Sequence, residues 1–324
     1  MDQSFIQQLQ CVPDTESNGS AFAVLEEKVK DGAKRRFGCI GEFEKNRLAY
    51  EFELIRATNT AKLFLYWADV VATIRQKTYP YIYSVQNCSL VSYCLGITEV
   101  NPLLVGSYFE RLLTKRSTHL PVLFIEVPKG MGEEVSPYLE EEEKVLIEIE
   151  ENAARPNLDS KEVTDFFKEQ TYKDREILQN VAVSLGIANK KKAPETVEEL
   201  TDLLVYKRYA EFMDKTPSLL YQEDAVDLLV RAGLSYEEAE YARRAFAKKN
   251  RFEINFYRNV FEQAARKKGY SVNEMNTVFS AVEREVNFTV CRASYIAMAQ
   301  YLYMDTYFKE KQGANKNVYK KIDD

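Results

Sequence analysis

The sequence predicts an α+β fold that is predominantly helical, and three observations predict it. Only 12 glycines and 9 prolines punctuate 324 residues. Long stretches carry apolar residues at helical spacing, i to i+3 or i+4. One short apolar run, Val122-Leu123-Phe124-Ile125, closed by Glu126 and Pro128, has the length of a buried strand.

In chain order, residues 1–20 are polar and read as a loose lead-in. "AFAVLEEKVKDGAKRRFG" reads as a helix stopping near Gly38. "EFEKNRLAYEFELIRATNTAKLFLYWADVVATIRQKTYP" reads as two helices. Leu48, Phe52 and Ile55 share one face of the first, and Leu63, Trp67, Val70 and Val71 one face of the second. Tyr79-Pro80 ends the pair. "YIYSVQ" reads as a strand, "CSLVSYCLGIT" as an apolar helix ending around Gly96, and Asn101-Pro102 as the start of another short helix. "FERLL" reads as a helix end that approaches the strand at Val122. "EEVSPYLEEEEKVLIEIEENAARPN" opens as a solvated acidic run and becomes an amphipathic helix through Val145 and Ile149. Helices follow around 163–167 and 175–185. "GIANKKKAPET" reads as a linker with an N-cap at Thr196, and helices extend from there to about Lys311.

Hydrophobic content of 45% and charged content of 29% are those of a globular chain. Five cysteines with no C-x-x-C pair imply reduced thiols and a cytoplasmic protein, and no apolar run has the length of a membrane span. No basic n-region with an apolar run marks a signal peptide at the N-terminus. The single histidine, His119, excludes a His-rich zinc site and argues against a Ser-His-Asp triad. A net charge of −6 argues against a strong non-specific nucleic-acid binder, although local basic clusters can still bind phosphate.

Three stretches in order resemble the bacterial DNA polymerase III alpha subunit, the C family of polymerases. The first is "NRLAYEFELIRATNTAKLFLYWADVVATIRQK" followed by "CSLVSYCLGITEVNPLLVGSYFERLL". The second is "DREILQNVAVSLGI". The third runs from "APETVEELTDLL" through "LLYQEDAVDLLVRAGLSYEEAEYARRAFAKKN" to "EREVNFTVCRASYIAMAQYLYMDTYFKEK". The resemblance implies a reduced palm-like (nucleotidyltransferase-like) module followed by an all-helical fingers-like module. It assigns 1–20 to a polar lead-in, 21–132 to the palm-like part, 133–190 to a thumb-like helical remnant, 191–311 to the fingers-like part and 312–324 to a polar tail. It finds no counterpart here of the family's phosphoesterase, clamp-binding and OB regions.

The same resemblance implies a degenerate site. The family's strand is P-D-x-D-x-D-F, whose first two aspartates hold two magnesium ions for nucleotidyl transfer. Pro121 matches the proline, Val122 and Phe124 fall on the two metal aspartates, and Glu126 falls on the third acidic position. Neither Val nor Phe offers an oxygen ligand, and a lone Glu126 reads as a strand-end carboxylate in water. Phe124 is expected to fill, as packed core, the space of the lost metals. The family's glycine-rich phosphate loop P-G-R-G-S-A-A-G becomes "YIYSVQNC", with Tyr83, Ser84 and Val85 at its centre and no glycine. The stretch that should carry the third metal carboxylate reads "ANKKKA". The family's F-N-K-S-H-A becomes Phe288-Thr-Val-Cys-Arg-Ala293, without its lysine or histidine. Arg243, Arg244, Lys248 and Lys249 match a basic fingers element and are the candidates for DNA or phosphate contact, with Arg244 and Lys248 at i, i+4. Tyr295, Tyr301, Tyr303 and Tyr307 are expected to pack between helices rather than stack on bases.

The expectation is therefore a non-catalytic polymerase III alpha-like protein, with no catalytic residue, metal or cofactor, binding a polymerase or repair subunit in replication or repair. Two readings compete. One is a DNA-binding module without catalysis. The other is an active nucleotidyltransferase with relocated ligands, drawn from Glu126, Glu133 and Glu134.

Overall fold

A computed structural model describes residues 3–10, 12, 20–128, 130–135, 146–151, 219, 221–289, 291–294, 296–297 and 301. The chain divides into two compact units, residues 1–197 with 293–324, and residues 198–292.

The first unit opens with α1 (Gln3–Gln10), α2 (Ala21–Phe37), α3 (Glu42–Thr58) and α4 (Ala61–Arg75). The described part of the lead-in is not loose: Phe5 on α1 is fully buried, and the Gln8 side-chain carbonyl accepts the Leu120 N–H at 2.7 Å. One aromatic on the apolar face of a polar octamer is enough to dock it. Ser20 caps α2, and Asn59 ends α3 in the left-handed conformation, as C-terminal caps commonly do. Helix α4 is apolar nearly all round and lies in the core with Leu63, Phe64, Leu65, Trp67, Val71 and Ile74 buried.

A three-stranded sheet has the order β1 (Tyr81–Ile82), β2 (Leu123–Val127), β3 (Ile147–Glu151). β1 runs antiparallel and β3 parallel to the central β2. The segment expected to be an amphipathic helix through Ile149 is thus strand β3 (Val145 lies outside the described residues). Its I-E-I-E alternation has period two, which suits a sheet with one buried face. The Trp67 indole N–H donates to the Leu146 carbonyl at 3.4 Å and so ties the start of β3 to α4.

Three further expectations are corrected. "YIYSVQ" forms only the two-residue β1, and the chain then turns into a 3-10 segment, Val85–Cys88, before α5 (Leu90–Cys94). Asn101-Pro102 begins turns rather than a helix, and "FERLL" holds only a 3-10 turn, Phe109–Arg111. Between β2 and β3 lies the four-residue α6 (Gly132–Val135). The linker "GIANKKKAPET" and Thr196 lie outside the described residues, as do the expected helices at 163–167 and 175–185.

The second unit holds α7 (Gln222–Arg231), α8 (Tyr236–Ala247), α9 (Arg251–Lys267) and α10 (Val272–Glu285). Capping boxes start α8 (Ser235 with Glu238) and α10 (Ser271 with Glu274). Phe246, Phe261 and Phe279 meet at ring-centroid distances of 4.8 and 5.6 Å and form its centre. The observed class is α+β and mostly helical, as predicted.

Candidate functional site: a sheet face of aromatic and acidic side chains

The register divides the side chains of the sheet. Ile82, Leu123, Ile125, Val127 and Ile147 are buried in the core. Because Tyr81 pairs with Glu126, Phe124 with Glu148 and Glu126 with Glu150, the opposite face carries Tyr81, Tyr83, Phe124, Glu126, Glu148 and Glu150. Phe124 is therefore not core: it is half-buried on this second face, its ring 5.6 Å from that of Tyr83. Val122, just ahead of β2, is also half-buried.

Glu126 corrects a second expectation. It does not lie in water but is 1% exposed, on the central strand between Tyr81 of β1 and Glu150 of β3. Glu148 and Glu150 are exposed, and Glu150 accepts a hydrogen bond from the Tyr83 hydroxyl. Burial, then Glu150 by charge and hydrogen bond, then Glu126 and Glu148 push the Tyr83 phenol up to about 12. An anionic ring there would be buried among carboxylates, so Tyr83 stays a neutral donor.

The 81–88 stretch, which the resemblance sets against the family's glycine-rich loop, is knitted to itself and to β2. Asn87 donates from Nδ2 to the Ile82 carbonyl at 2.6 Å and to the Ser84 carbonyl at 3.0 Å. Gln86 Nε2 donates to the Val122 carbonyl at 3.0 Å, and Ser84 bonds the Gln86 side-chain oxygen. Val85 packs partly against the core. Backbone amides that a phosphate loop would turn toward a ligand are engaged here: the N–H of Tyr83 donates to Phe124 and that of Asn87 to Ser84. On the outer side, the Tyr81 hydroxyl donates to the Ser294 carbonyl at 3.0 Å, and the buried Tyr301 ring lies 6.0 Å from Tyr79 and 5.3 Å from Tyr81. Tyr301 is packed, against the β1 segment rather than between helices; Tyr295, Tyr303 and Tyr307 lie outside the described residues.

Behind this stretch the N-terminus of α5 is capped by Glu51, which is fully buried. Its carboxylate accepts from Ser89 Oγ at 2.7 Å, Leu90 N at 2.8 Å and Val91 N at 3.0 Å. Arg47 neutralises it at 2.6 Å and also donates to the Cys88 and Ser107 carbonyls. A protein carboxylate thus occupies the place where the first amides of α5 could meet an anion. The R-x-x-x-E spacing of Arg47 and Glu51 was the available signal for this pair.

Two magnesium ions would require several oxygen ligands converging on one point. Val122 and Phe124 supply none. Among the described residues, Glu126, Glu148 and Glu150 do not bring three ligand atoms within 4.8 Å of one another. Among the described residues, this face does not fit a two-metal centre. Glu148 and Glu150 are not legible as neighbours of Phe124 from the sequence, where the I-E-I-E run reads as part of an amphipathic helix. Glu133 lies on α6 and Glu134 has no described side chain. The "ANKKKA" stretch lies outside the described residues.

The basic element is split by the fold. Arg243 on α8 is buried and makes two bonds to Glu240, at 2.8 and 2.7 Å, and Arg244 bonds the same carboxylate at 2.7 Å. Lys248 and Lys249 are exposed at the corner between α8 and α9. Cys291 donates to Glu223 at 3.7 Å and Arg292 pairs with Asp224 at 2.8 Å, so this stretch is used inside the second unit.

Residues 23–219 match the family described as the bacterial DNA polymerase III alpha NTPase domain. The chain is 32% identical over 125 residues to an error-prone DNA polymerase of Symbiobacterium thermophilum, covering 36% of this chain and 11% of that protein. It is 31% identical over 130 residues to the DNA polymerase III subunit alpha of Bacillus subtilis, covering 39% and 12%. Against the DNA polymerase III subunit alpha of Mycobacterium tuberculosis it is 33% identical over 119 residues, covering 36% and 10%. The chain thus spans about a tenth of the length of these curated relatives. With the matched region covering more than half of the sequence, the chain belongs to the bacterial DNA polymerase III alpha family.

Proposed function

We propose that this protein is a non-catalytic polymerase III alpha-like protein that works in the cytoplasm as a binding or scaffold subunit in DNA replication or repair. The observation that carries the reading is Val122 and Phe124 at the positions where the family's strand has its metal aspartates, with Phe124 against Tyr83. Two supports add to it. The phosphate-loop stretch has its backbone tied down by Gln86 and Asn87, and Glu51 holds the amides of α5. On this reading the partner is another polymerase or repair subunit, and no metal or cofactor takes part.

The test is primer extension with Mg²⁺ or Mn²⁺, beside calorimetric titration of each ion. Neither extension nor a saturable metal site is expected. A Mn²⁺ site abolished by Glu126→Ala would favour relocated ligands on the Glu126, Glu148 and Glu150 face and overturn the proposal.

A second reading, DNA binding without catalysis, is favoured by the exposed Lys248 and Lys249 with Arg244 beside them. It expects binding that weakens steeply with salt, through counterion release. Lys248→Ala with Lys249→Ala should then lower the slope of log affinity against log salt by roughly two. An unchanged slope removes these lysines from any DNA contact.

A further inference from the structure

The largest exposed apolar side chain among the described residues is Phe252, at 84% exposure, and one turn along the same helix Phe256 is 54% exposed. Both lie on α9 at i, i+4, so they form one ridge. The base of the ridge is fixed. Phe256 meets Tyr257 edge-on at 5.1 Å, and Tyr257 stacks on Tyr241 of α8 at 6.4 Å with 6° between the rings. Phe252 stands free beyond it.

Lys248, Lys249 and Arg251 surround the start of the ridge, and all three are exposed. None has an ion pair among the described residues, whereas Arg243 and Arg244 share Glu240 and Arg258 is paired with Glu262. Arg251 opens α9, where the helix dipole disfavours a cation. Nothing among the described residues of the second unit explains three unpaired cations around two bare phenylalanines.

We infer that the Phe252–Phe256 ridge with Lys248, Lys249 and Arg251 is a docking surface for an acidic peptide segment of a partner protein that carries apolar side chains. The apolar side chains would cover the ridge and the carboxylates would meet the three cations. Charge favours a peptide over nucleic acid. The chain carries a net charge of −6, so a long polyanion is repelled by the whole molecule while a few carboxylates feel mainly the local cations. Phe252 also projects as a knob, which suits insertion between side chains better than it suits a rigid stacking platform. The inference rests on the binding-subunit reading but fails separately from it, because primer extension tests that reading and does not touch this surface.

The experiment is selection of a random peptide library displayed on phage against the full chain, followed by affinity measurement on the selected synthetic peptides. Enriched peptides should combine Asp or Glu with Leu, Phe or Trp. Phe252→Ser with Phe256→Ser should weaken them roughly tenfold or more, as loss of an interface anchor does. Because both side chains are exposed, the variant folds, and its circular dichroism checks this. Lys248→Glu, Lys249→Glu and Arg251→Glu together should abolish binding of the acidic peptides. No enrichment, enrichment of peptides without acidic residues, or binding unchanged in the Phe variant would overturn the proposal. So would tight binding of oligothymidylate that displaces the peptides, which would make the surface one for nucleic acid.

Discussion

At the scale of single residues, buried carboxylates are kept charged or made costly by what surrounds them. Burial alone would raise Glu99, but Arg75 at 2.8 Å and Arg36 at 2.7 Å outweigh it and hold its carboxyl below the ordinary range. The stability this contributes is present above the unfolded carboxylate pKa and is lost as pH falls through the lowered folded value. Glu99→Gln should therefore flatten the acid limb of a denaturation-midpoint profile against pH. Glu110 behaves in the opposite sense. Burial raises its pKa despite the hydrogen bond from Tyr50, so its ionisation costs stability as pH rises above the unfolded value. Glu51→Ala strips three donors and Arg47 of their partner, and a cost of about 3–5 kcal/mol is expected in a urea melt. Val122→Asp with Phe124→Asp should cost only about 1–3 kcal/mol, since both side chains are half-buried. It should bring no primer extension, because the phosphate-loop stretch is still tied to β2; any template-dependent extension would reveal a dormant site.

At the scale of elements, close helix packing sets the approach to the sheet. A Cβ on Gly32 of α2 would stand 1.8 Å from the Cys94 carbonyl oxygen at the end of α5. Alanine at a helix interior normally gains up to about 1 kcal/mol over glycine. Here the clash is with backbone, which cannot swing aside, so Gly32→Ala should lose about 1–3 kcal/mol in a thermal melt. Strand β3 is the other element that matters. Its Ile147 is buried, Ile149 packs against the core, and Glu148 and Glu150 alternate outward. A helical segment would have scattered those glutamates; the parallel pairing aligns them with Phe124 and Glu126.

At the scale of the molecule, the two units have separate cores. Leu229, Phe246, Phe261, Phe279 and Val282 are buried within the second unit. Residues 198–292 alone are expected to melt cooperatively with a helical circular-dichroism spectrum. A gradual, non-cooperative loss would mean that this core is incomplete by itself. Among the described residues no helix is long and apolar enough to cross a membrane.

The sequence by itself determined the helical class, the α2 helix and the helix pair that follows it, the family, and the presence of Val122 and Phe124 on the central strand. Those features are written in local periodicity, in ordered motifs and in residue identity. The S-x-x-E spacing at Ser235 and Ser271 also marks the helix starts that the structure shows. Only the tertiary structure decided that I-E-I-E is a strand, that Glu126 is buried, that Arg243 is committed to Glu240, and that Phe252 and Phe256 stand bare beside three cations. Each of these depends on which neighbour lies across the fold. A strand needs a partner strand to satisfy its amides, and a charge is paired or free according to what packs beside it.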